Sequence, residues 1–306
     1  MQLSKQRRIV VALFSFLMFV IVCCLPLCAA EETGYTLRSS TNEVRIVFSA
    51  SDREGNIVNT LRSSDVAVAD NGMIIRHFRS FRAASGNPLD LVVLIDASDS
   101  LASQIPAEIA AVKSFVEYSN WGERDRVSML AFGGARPTLI CARNCNAQVA
   151  HAGLNTLRAS GATPLYDALV DAAEILQEGR DSEARPAIIL FSDGRDTISR
   201  HGLSDALLET EHLRATIYCV NASSKKSVDS GDAVLNLLAG STGGLSFPPG
   251  QNVASILRKV LDDLHGGYVL TYELPEQTAG QHSVRLLPTS DPKLQFRSRR
   301  AYDADE

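Results

Sequence analysis

Two uninterrupted apolar runs, Leu91–Ile95 and Ala187–Phe191, constrain the fold most strongly. A run without polar alternation is typical of a strand that is buried on both faces. Amphipathic segments with helical spacing alternate with these and further short apolar runs throughout the middle of the chain. We therefore predict a Rossmann-like α/β domain at 88–266, with a doubly wound, mostly parallel sheet covered by helices on both faces.

The two flanks of this block follow a different pattern. Residues 43–82 alternate apolar and polar side chains, and Asn71-Gly72 between two apolar runs is a strong hairpin signal. Residues 268–300 repeat the alternation. Since a lone hairpin is only marginally stable, we predict that the flanks, 31–87 and 267–306, pair into one small β-sandwich-like domain.

The first 30 residues have the pattern of an export signal. Basic residues precede an uncharged stretch at 9–30, and Cys28-Ala29-Ala30 resembles a signal-peptidase cleavage site. The uncharged stretch of 22 residues is also long enough to span a bilayer, so an uncleaved anchor is the alternative. Either version predicts a chain that is secreted or held in the cell envelope, with membrane contact only through this segment.

Cysteine positions and charge add three expectations. Cys141 and Cys145 flank a short loop, which predicts a disulfide in an oxidising compartment, and Cys219 in an apolar run is predicted to be a buried thiol. The formal net charge of −5 offers no basic excess for nucleic-acid phosphates, so we predict no nucleic-acid partner. The one short basic run, Arg297-Ser298-Arg299-Arg300, is interpreted as a solvated strand edge in preference to an anion site.

Three polar clusters lie where predicted strands end or a helix begins. Asp96, Ser98 and Ser100 follow the first apolar run, Thr163 precedes a helix, and Asp193 follows the second run. Ligands of open α/β sheets bind outside the carboxyl ends of the strands, and alternate residues of an extended loop point the same way. Carboxylate and hydroxyl oxygens suit a hard cation. We predict one Mg²⁺ (or Mn²⁺) ion bound by these five residues.

These residues resemble a known site. Asp96-x-Ser98-x-Ser100, Thr163 and Asp193 look like the metal-ion-dependent adhesion site of von Willebrand factor type A domains, and residues 161–169 resemble the threonine loop of that family. With its leader and β-rich flanks, the chain resembles bacterial secreted proteins described as VWFA-related. Asp99 stands where the family pattern usually has glycine. The resemblance implies an adhesion or interaction module, with no enzyme activity, whose metal ion accepts an acidic group from a partner protein.

Two other functions compete with this interpretation. The first is a Mg²⁺-dependent phosphotransferase-like enzyme with Asp96 as nucleophile, but haloacid-dehalogenase-like enzymes need a second aspartate where this chain has Ser98. A P-loop and a nucleophile elbow are also missing from the sequence. The second is a structural envelope protein whose metal site has lost its function. The alternative for the residues themselves is that Asp96 and Asp193 cap helices while Ser98, Ser100 and Thr163 bond to loop amides.

Overall fold

The computed structural model describes residues 43–119, 121–143, 145–223, 230–274 and 280–304. The predicted leader at 1–30, and the start of the N-terminal flank up to residue 42, lie outside the described residues. Within these ranges, no helix is both long enough and apolar enough to cross a membrane.

A six-stranded sheet occupies the middle of the chain, in the order β10-β9-β8-β5-β6-β7. Its strands are β5 (Leu89–Asp96), β6 (Arg126–Phe132), β7 (Thr138–Cys141), β8 (Arg185–Ser192), β9 (Thr216–Asn221) and β10 (Ser246–Phe247). All neighbours pair in parallel except β6 and β7, which are antiparallel. Every residue of β5 is buried, as its apolar run predicts.

Helices cover both faces of this sheet. They are α1 (Ile105–Tyr118), α2 (Ala147–Thr156), α3 (Leu165–Gln177), α4 (Leu203–His212), α5 (Ser230–Thr242) and α6 (Val253–Gly266). Leu91 and Val93 pack in one core with α1, α2 and α6, whereas Val92 and Leu94 pack in a second core with α3, α4 and α5. Successive strand residues therefore face opposite helix layers. The prediction of a doubly wound, mostly parallel α/β fold is confirmed; the short elements β7, β10 and α2 were not predicted.

The flanks form two four-stranded antiparallel sheets, ordered β13-β1-β11-β4 and β14-β12-β2-β3. Their strands are β1 (Glu43–Ser51), β2 (Val66–Asp70), β3 (Met73–Ile75), β4 (Ser80–Ala83), β11 (Tyr268–Glu273), β12 (Gly280–Pro288), β13 (Gln295–Ser298) and β14 (Ala301–Ala304). Strand β1 pairs with β11, and β2 pairs with β12, so each sheet contains strands from both flanks. Side chains from both sheets share one core, which confirms the predicted sandwich.

A buried polar cluster lies inside this sandwich. The Oδ2 atom of Asp70 accepts hydrogen bonds from the hydroxyls of Tyr272 and Tyr302, each at 2.6 Å. The Nδ1 atom of His282 lies 2.6 Å from Oδ1 of the same carboxylate. Each oxygen of the buried carboxylate thus has a partner, which is the condition under which such a group is tolerated in a core.

The basic run at the end of the chain corrects an expectation. Arg299 is only 8 % exposed, donates a hydrogen bond to the backbone oxygen of Arg45, and lies over the ring of Tyr302. Arg297 bonds to the Asp263 carboxylate on α6. The predicted solvated edge is therefore wrong for Arg299, because this run packs where the sandwich meets the α/β domain.

Candidate metal-binding site

Asp96 is the last residue of β5 and is completely buried. Its Oδ1 atom accepts a hydrogen bond from the backbone N–H of Ser98 at 3.0 Å. Its Oδ2 atom accepts one from the hydroxyl of Ser192, the last residue of the neighbouring β8, at 2.7 Å. The carboxylate is consequently fixed between the ends of two adjacent parallel strands.

Side-chain oxygens form a row from the loop after β5 to the loop after β8. The hydroxyls of Ser98 and Ser100 lie 3.1 Å apart, and the Ser100 hydroxyl donates to Oδ2 of Asp193 at 3.5 Å. The other oxygen of Asp193 accepts a hydrogen bond from the backbone N–H of Arg195 at 3.1 Å. The structure therefore brings together four of the five predicted site residues.

Thr163, the fifth residue, reaches the site with its loop. The backbone N–H of Asp99 donates to the oxygen of Gly161 at 3.1 Å, which ties the threonine loop to the loop after β5. The backbone N–H of Thr163 donates to the hydroxyl of Thr197 at 2.8 Å, and the Thr163 side chain is buried. These bonds hold the threonine loop against the loop after β5 on one side and against Thr197 on the other.

Two glycines allow these loops to approach each other. A Cβ atom on Gly133 would lie 2.6 Å from the backbone oxygen of Ala97. Gly194 has a φ of +79°, and a Cβ there would lie 2.2 Å from the backbone oxygen of Gly231 in α5. Both distances are too short for any side chain, so close backbone packing shapes the site.

The electrostatics of the site are dominated by buried negative charge. Burial raises the pKa of Asp96 to about 6, hydrogen bonds from Ser98 and Ser192 act in the opposite direction, and the charge of Asp193 adds to the increase. A cation bound to the Asp96 carboxylate would lower its pKa again, because an opposite charge favours the ionised form.

Glu108 is a nearby acidic residue that the sequence reasoning missed. It is 2 % exposed, and neither of its carboxylate oxygens has a hydrogen-bond partner. Burial raises its pKa to about 8, and the charge of Asp96 contributes. A signal was present, because Glu108 lies three residues after Ile105 and four before Val112, on the apolar face of α1.

The donor set fits a small hard cation. It comprises two carboxylates and three hydroxyls, and hard oxygen donors are the preferred ligands of Mg²⁺ and Mn²⁺. Among the residues that the structure describes, no group of three or more His, Cys, Asp or Glu side chains could hold a metal. The arrangement thus differs from sites built of thiolates and imidazoles, and hydroxyl ligands would have to supply much of the coordination.

The two predicted disulfide partners lie away from this site. Cys141 at the end of β7 and Cys145 in the following loop form a disulfide with their Cα atoms 5.4 Å apart. The backbone N–H of Cys145 bonds to the oxygen of Val127, near the start of β6. Cys219 is a free, buried thiol whose pKa burial raises.

Comparison with known proteins gives these observations a context. Residues 91–195 match the family model of the von Willebrand factor type A domain. An uncharacterized protein of Mycobacterium tuberculosis is 28 % identical over 111 residues, which cover 35 % of this chain and only 18 % of that relative.

Solved structures resemble the chain at low identity. A von Willebrand factor type A protein from Catenulispora acidiphila is 13 % identical, with a TM-score of 0.47, and the match covers 88 % of this chain and 76 % of that one. Proximal thread matrix protein 1 from the mussel byssus, solved with a zinc-occupied MIDAS motif, is 15 % identical with a TM-score of 0.43 over 57 % of this chain and 48 % of that one.

Proposed function

We propose that the chain is an exported module whose α/β domain, matched over residues 91–195 by the von Willebrand factor type A family model, binds a partner protein through a metal ion at the Asp96 site. The observation that carries this proposal is the row of oxygens from Asp96 to Asp193 at the carboxyl edge of the sheet. Domains of this family generally mediate interactions between proteins, and the site offers the chemistry for one.

The five candidate residues would have two different roles in binding the ion. Ser98, Ser100 and Thr163 would act as neutral ligands, while Asp96 and Asp193 hold their positions through hydrogen bonds. A bound Mg²⁺ or Mn²⁺ would supply positive charge and a coordination position for a carboxylate of the partner. Ser100 is exposed, so the site is open to a partner on this side. The buried Asp96 would keep the ion anchored to the rigid end of β5.

A binding role suits these residues better than catalysis. Ser98 occupies the position where a phosphotransferase of the haloacid-dehalogenase type would need a second carboxylate. Its hydroxyl lies against Ser100, and its backbone N–H is used by Asp96. We therefore assign Asp96 a role in holding a cation and no role as a nucleophile.

The export of the chain is also part of the proposal. Disulfides persist in oxidising compartments and are rare in the cytosol, and Cys141 and Cys145 form one in this structure. The leader pattern at 1–30 points the same way. Together they support a location in the cell envelope or outside the cell.

Calorimetric titration of Mg²⁺ and Mn²⁺ tests the metal site. We expect saturable binding to the wild-type protein and none to Asp96→Ala, because that carboxylate is the anchored charge of the site. Asp262→Ala is the matched control, since it removes an exposed carboxylate on α6. Circular dichroism would show that each variant remains folded. Equal heats for the wild type and Asp96→Ala would contradict the proposal.

Partner binding is tested separately. Wild-type and Asp96→Ala proteins are used to capture partners from envelope and medium fractions, with Mg²⁺ or with EDTA, and the captured proteins are identified by mass spectrometry. We expect a partner that the wild type retains only with Mg²⁺ and that Asp96→Ala does not retain. A partner retained equally under all conditions would show that its binding does not use the metal site.

A further inference from the structure

A cavity with basic walls lies at the opposite, amino-terminal edge of the central sheet. The space inside it that a water-sized sphere can reach is about 50 Å³. It lies between the sandwich and the α/β domain, at the starts of β8 and β9. Five arginines line it: Arg45, Arg180, Arg185, Arg214 and Arg299. Among the described residues that form its walls there is no aspartate or glutamate. We call it the arginine cavity.

Several hydrogen-bond donors in the arginine cavity are unused. Arg185 is 5 % exposed and Arg299 is 8 % exposed, so both are more than nine-tenths buried. The Nε atoms of these two residues and of Arg45 are buried and have no hydrogen-bond partner. An unsatisfied donor on a charged group is costly to bury, so three of them around one cavity indicate a missing acceptor.

The positive charges in the cavity also act on one another. Burial lowers the pKa of Arg45, and the charges of Arg82, Arg214 and Arg185 lower it further. Burial likewise lowers the pKa of Arg299 to about 10, with a contribution from Arg214. All these guanidinium groups still carry their charge at neutral pH. An anion in the cavity would relieve this repulsion.

Three acidic side chains act on the cavity arginines from outside the cavity lining. The charges of Asp125 and Asp263 act on Arg185. Asp125 accepts hydrogen bonds from the backbone N–H groups of Leu89 and Gly122, and Asp263 bonds to Arg297 and to the hydroxyl of Tyr218 at 2.6 Å. Glu211 acts on Arg299 from α4, outside the cavity lining. These carboxylates lie outside the described lining of the cavity.

Backbone contacts hold some of these arginines in place. Arg45 donates to the backbone oxygens of Ser182 and Glu183 at 2.7 and 3.0 Å. Arg299 donates to the backbone oxygen of Arg45 at 2.9 Å, and Arg180 to that of Leu213 at 3.2 Å. Each guanidinium has five N–H donors in a fixed plane, so such bonds orient the group and leave further donors available.

We propose that the arginine cavity binds a small phosphate, either inorganic phosphate or the phosphate group of a small monoester. A phosphate carries up to two charges and several acceptor oxygens, which matches a set of convergent guanidinium groups better than a single carboxylate does. The cavity is concave and enclosed by two domains, which favours a small ligand. It is separate from the metal site, because β8 runs from Arg185 at the cavity to Ser192 beside Asp96.

Calorimetric titration of sodium phosphate and of glycerol 3-phosphate, in EDTA and at ionic strength matched with chloride, tests this proposal. We expect saturable binding to the wild type. The double variant Arg180→Gln/Arg214→Gln should bind about tenfold more weakly or worse, because it loses two charges at the mouth of the cavity. Both residues are exposed, so the variant should fold. Tighter binding of glycerol 3-phosphate than of phosphate would identify a monoester as the ligand class.

Two controls separate this site from other effects. Arg258→Gln removes an exposed arginine on α6 and should bind phosphate as the wild type does. Asp96→Ala should also retain phosphate binding, so failure of the metal site and failure of the arginine cavity are distinguishable. Absence of saturable phosphate and monoester binding to the wild type, or equal affinities for the wild type and the double arginine variant, would overturn the proposal.

Discussion

The two ends of strand β8 carry opposite charge. At its carboxyl end, Ser192 and Asp193 join Asp96 in a cluster of carboxylate and hydroxyl oxygens. At its amino end, Arg185 lines the arginine cavity. The eight residues of the strand separate these ends by roughly 23 Å. Between them, Ala187–Phe191 is buried under helices on both faces.

This difference shows where a fully buried strand can place functional polar groups. Its middle can hold only apolar side chains, so polar groups collect at the ends, where loops meet. At the carboxyl end, four of the five candidate ligands lie at the end of β5 or in the loops that directly follow β5 and β8, and Thr163 comes from the loop before α3. The amino end needs residues of both domains, from Arg45 in β1 to Arg299 after β13. The following variants test the carboxyl end and its surroundings, from the largest expected effect to the smallest, and the last two also test whether the amino end is independent of it.

Gly194→Ala should damage the carboxyl end most. The new Cβ would meet the backbone oxygen of Gly231 at 2.2 Å, at a residue with a φ of +79°. We expect a loss of more than about 4 kcal/mol in the free energy of unfolding, together with loss of metal binding. Gly250→Ala is the control, because its φ is +82° but nothing lies within 4 Å, so it should cost about 1 kcal/mol. Equal losses in the two variants, measured by chemical denaturation, would show that the contact with Gly231 is unimportant.

Glu108→Gln should stabilise the protein in a pH-dependent way. Burial raises the pKa of Glu108 from 4.5 to about 8, so the folded protein holds this proton more tightly than the unfolded chain does. The stability contributed by the protonated group is complete below pH 4.5 and is lost as the pH rises toward 8.

The free energy of unfolding of the variant should therefore exceed that of the wild type by about 4 kcal/mol near pH 8, and by much less near pH 4.5. Denaturant unfolding in EDTA at both pH values measures the difference. Glu117→Gln, an exposed position on the same helix, is the control. A pH-independent difference between Glu108→Gln and the wild type would contradict this account.

Replacing both Cys141 and Cys145 by serine should lower stability without changing either site. The two cysteines are four residues apart, so the cross-link closes a short loop and its removal costs about 2 kcal/mol. Heats of Mg²⁺ and phosphate binding should be those of the wild type. In the native protein without reductant, neither Cys141 nor Cys145 should react with a thiol reagent, and Cys219 should react only after denaturation. Labelling of both Cys141 and Cys145 in that assay would disprove the pairing.

Thr163→Ala should have the smallest effect. Water can replace a hydroxyl ligand, whereas no solvent molecule replaces the anchored charge of Asp96. We expect Mg²⁺ affinity to fall roughly fivefold, or about 1 kcal/mol, with phosphate binding unchanged. Calorimetry on Thr163→Ala and Asp96→Ala in parallel makes the comparison. A Thr163→Ala variant as inactive as Asp96→Ala would mean that the threonine hydroxyl is indispensable.

Much of the fold and of the acidic site was predictable because the relevant signals are local. The continuous run at Leu91–Ile95 needs only its neighbours to indicate a strand buried on both faces. Asp96, Ser98 and Ser100 lie within five residues, at a strand end that the pattern itself locates. Short elements such as β10 and β14 escaped prediction, because two to four residues carry too little periodicity.

The basic site depended on tertiary structure. Arg45, Arg185 and Arg299 are far apart in sequence, and they line one cavity only because the sandwich packs against the α/β domain. The sequence predicted a solvated basic run, but Arg299 is buried. Burial also raises the pKa of Glu108, which no sequence pattern indicates. Sequence alone determined the alternating strands and helices and the acidic loop motif, since both depend on residues close along the chain. Which charges lost their water, and which met across domains, was decided only by the packing of distant segments.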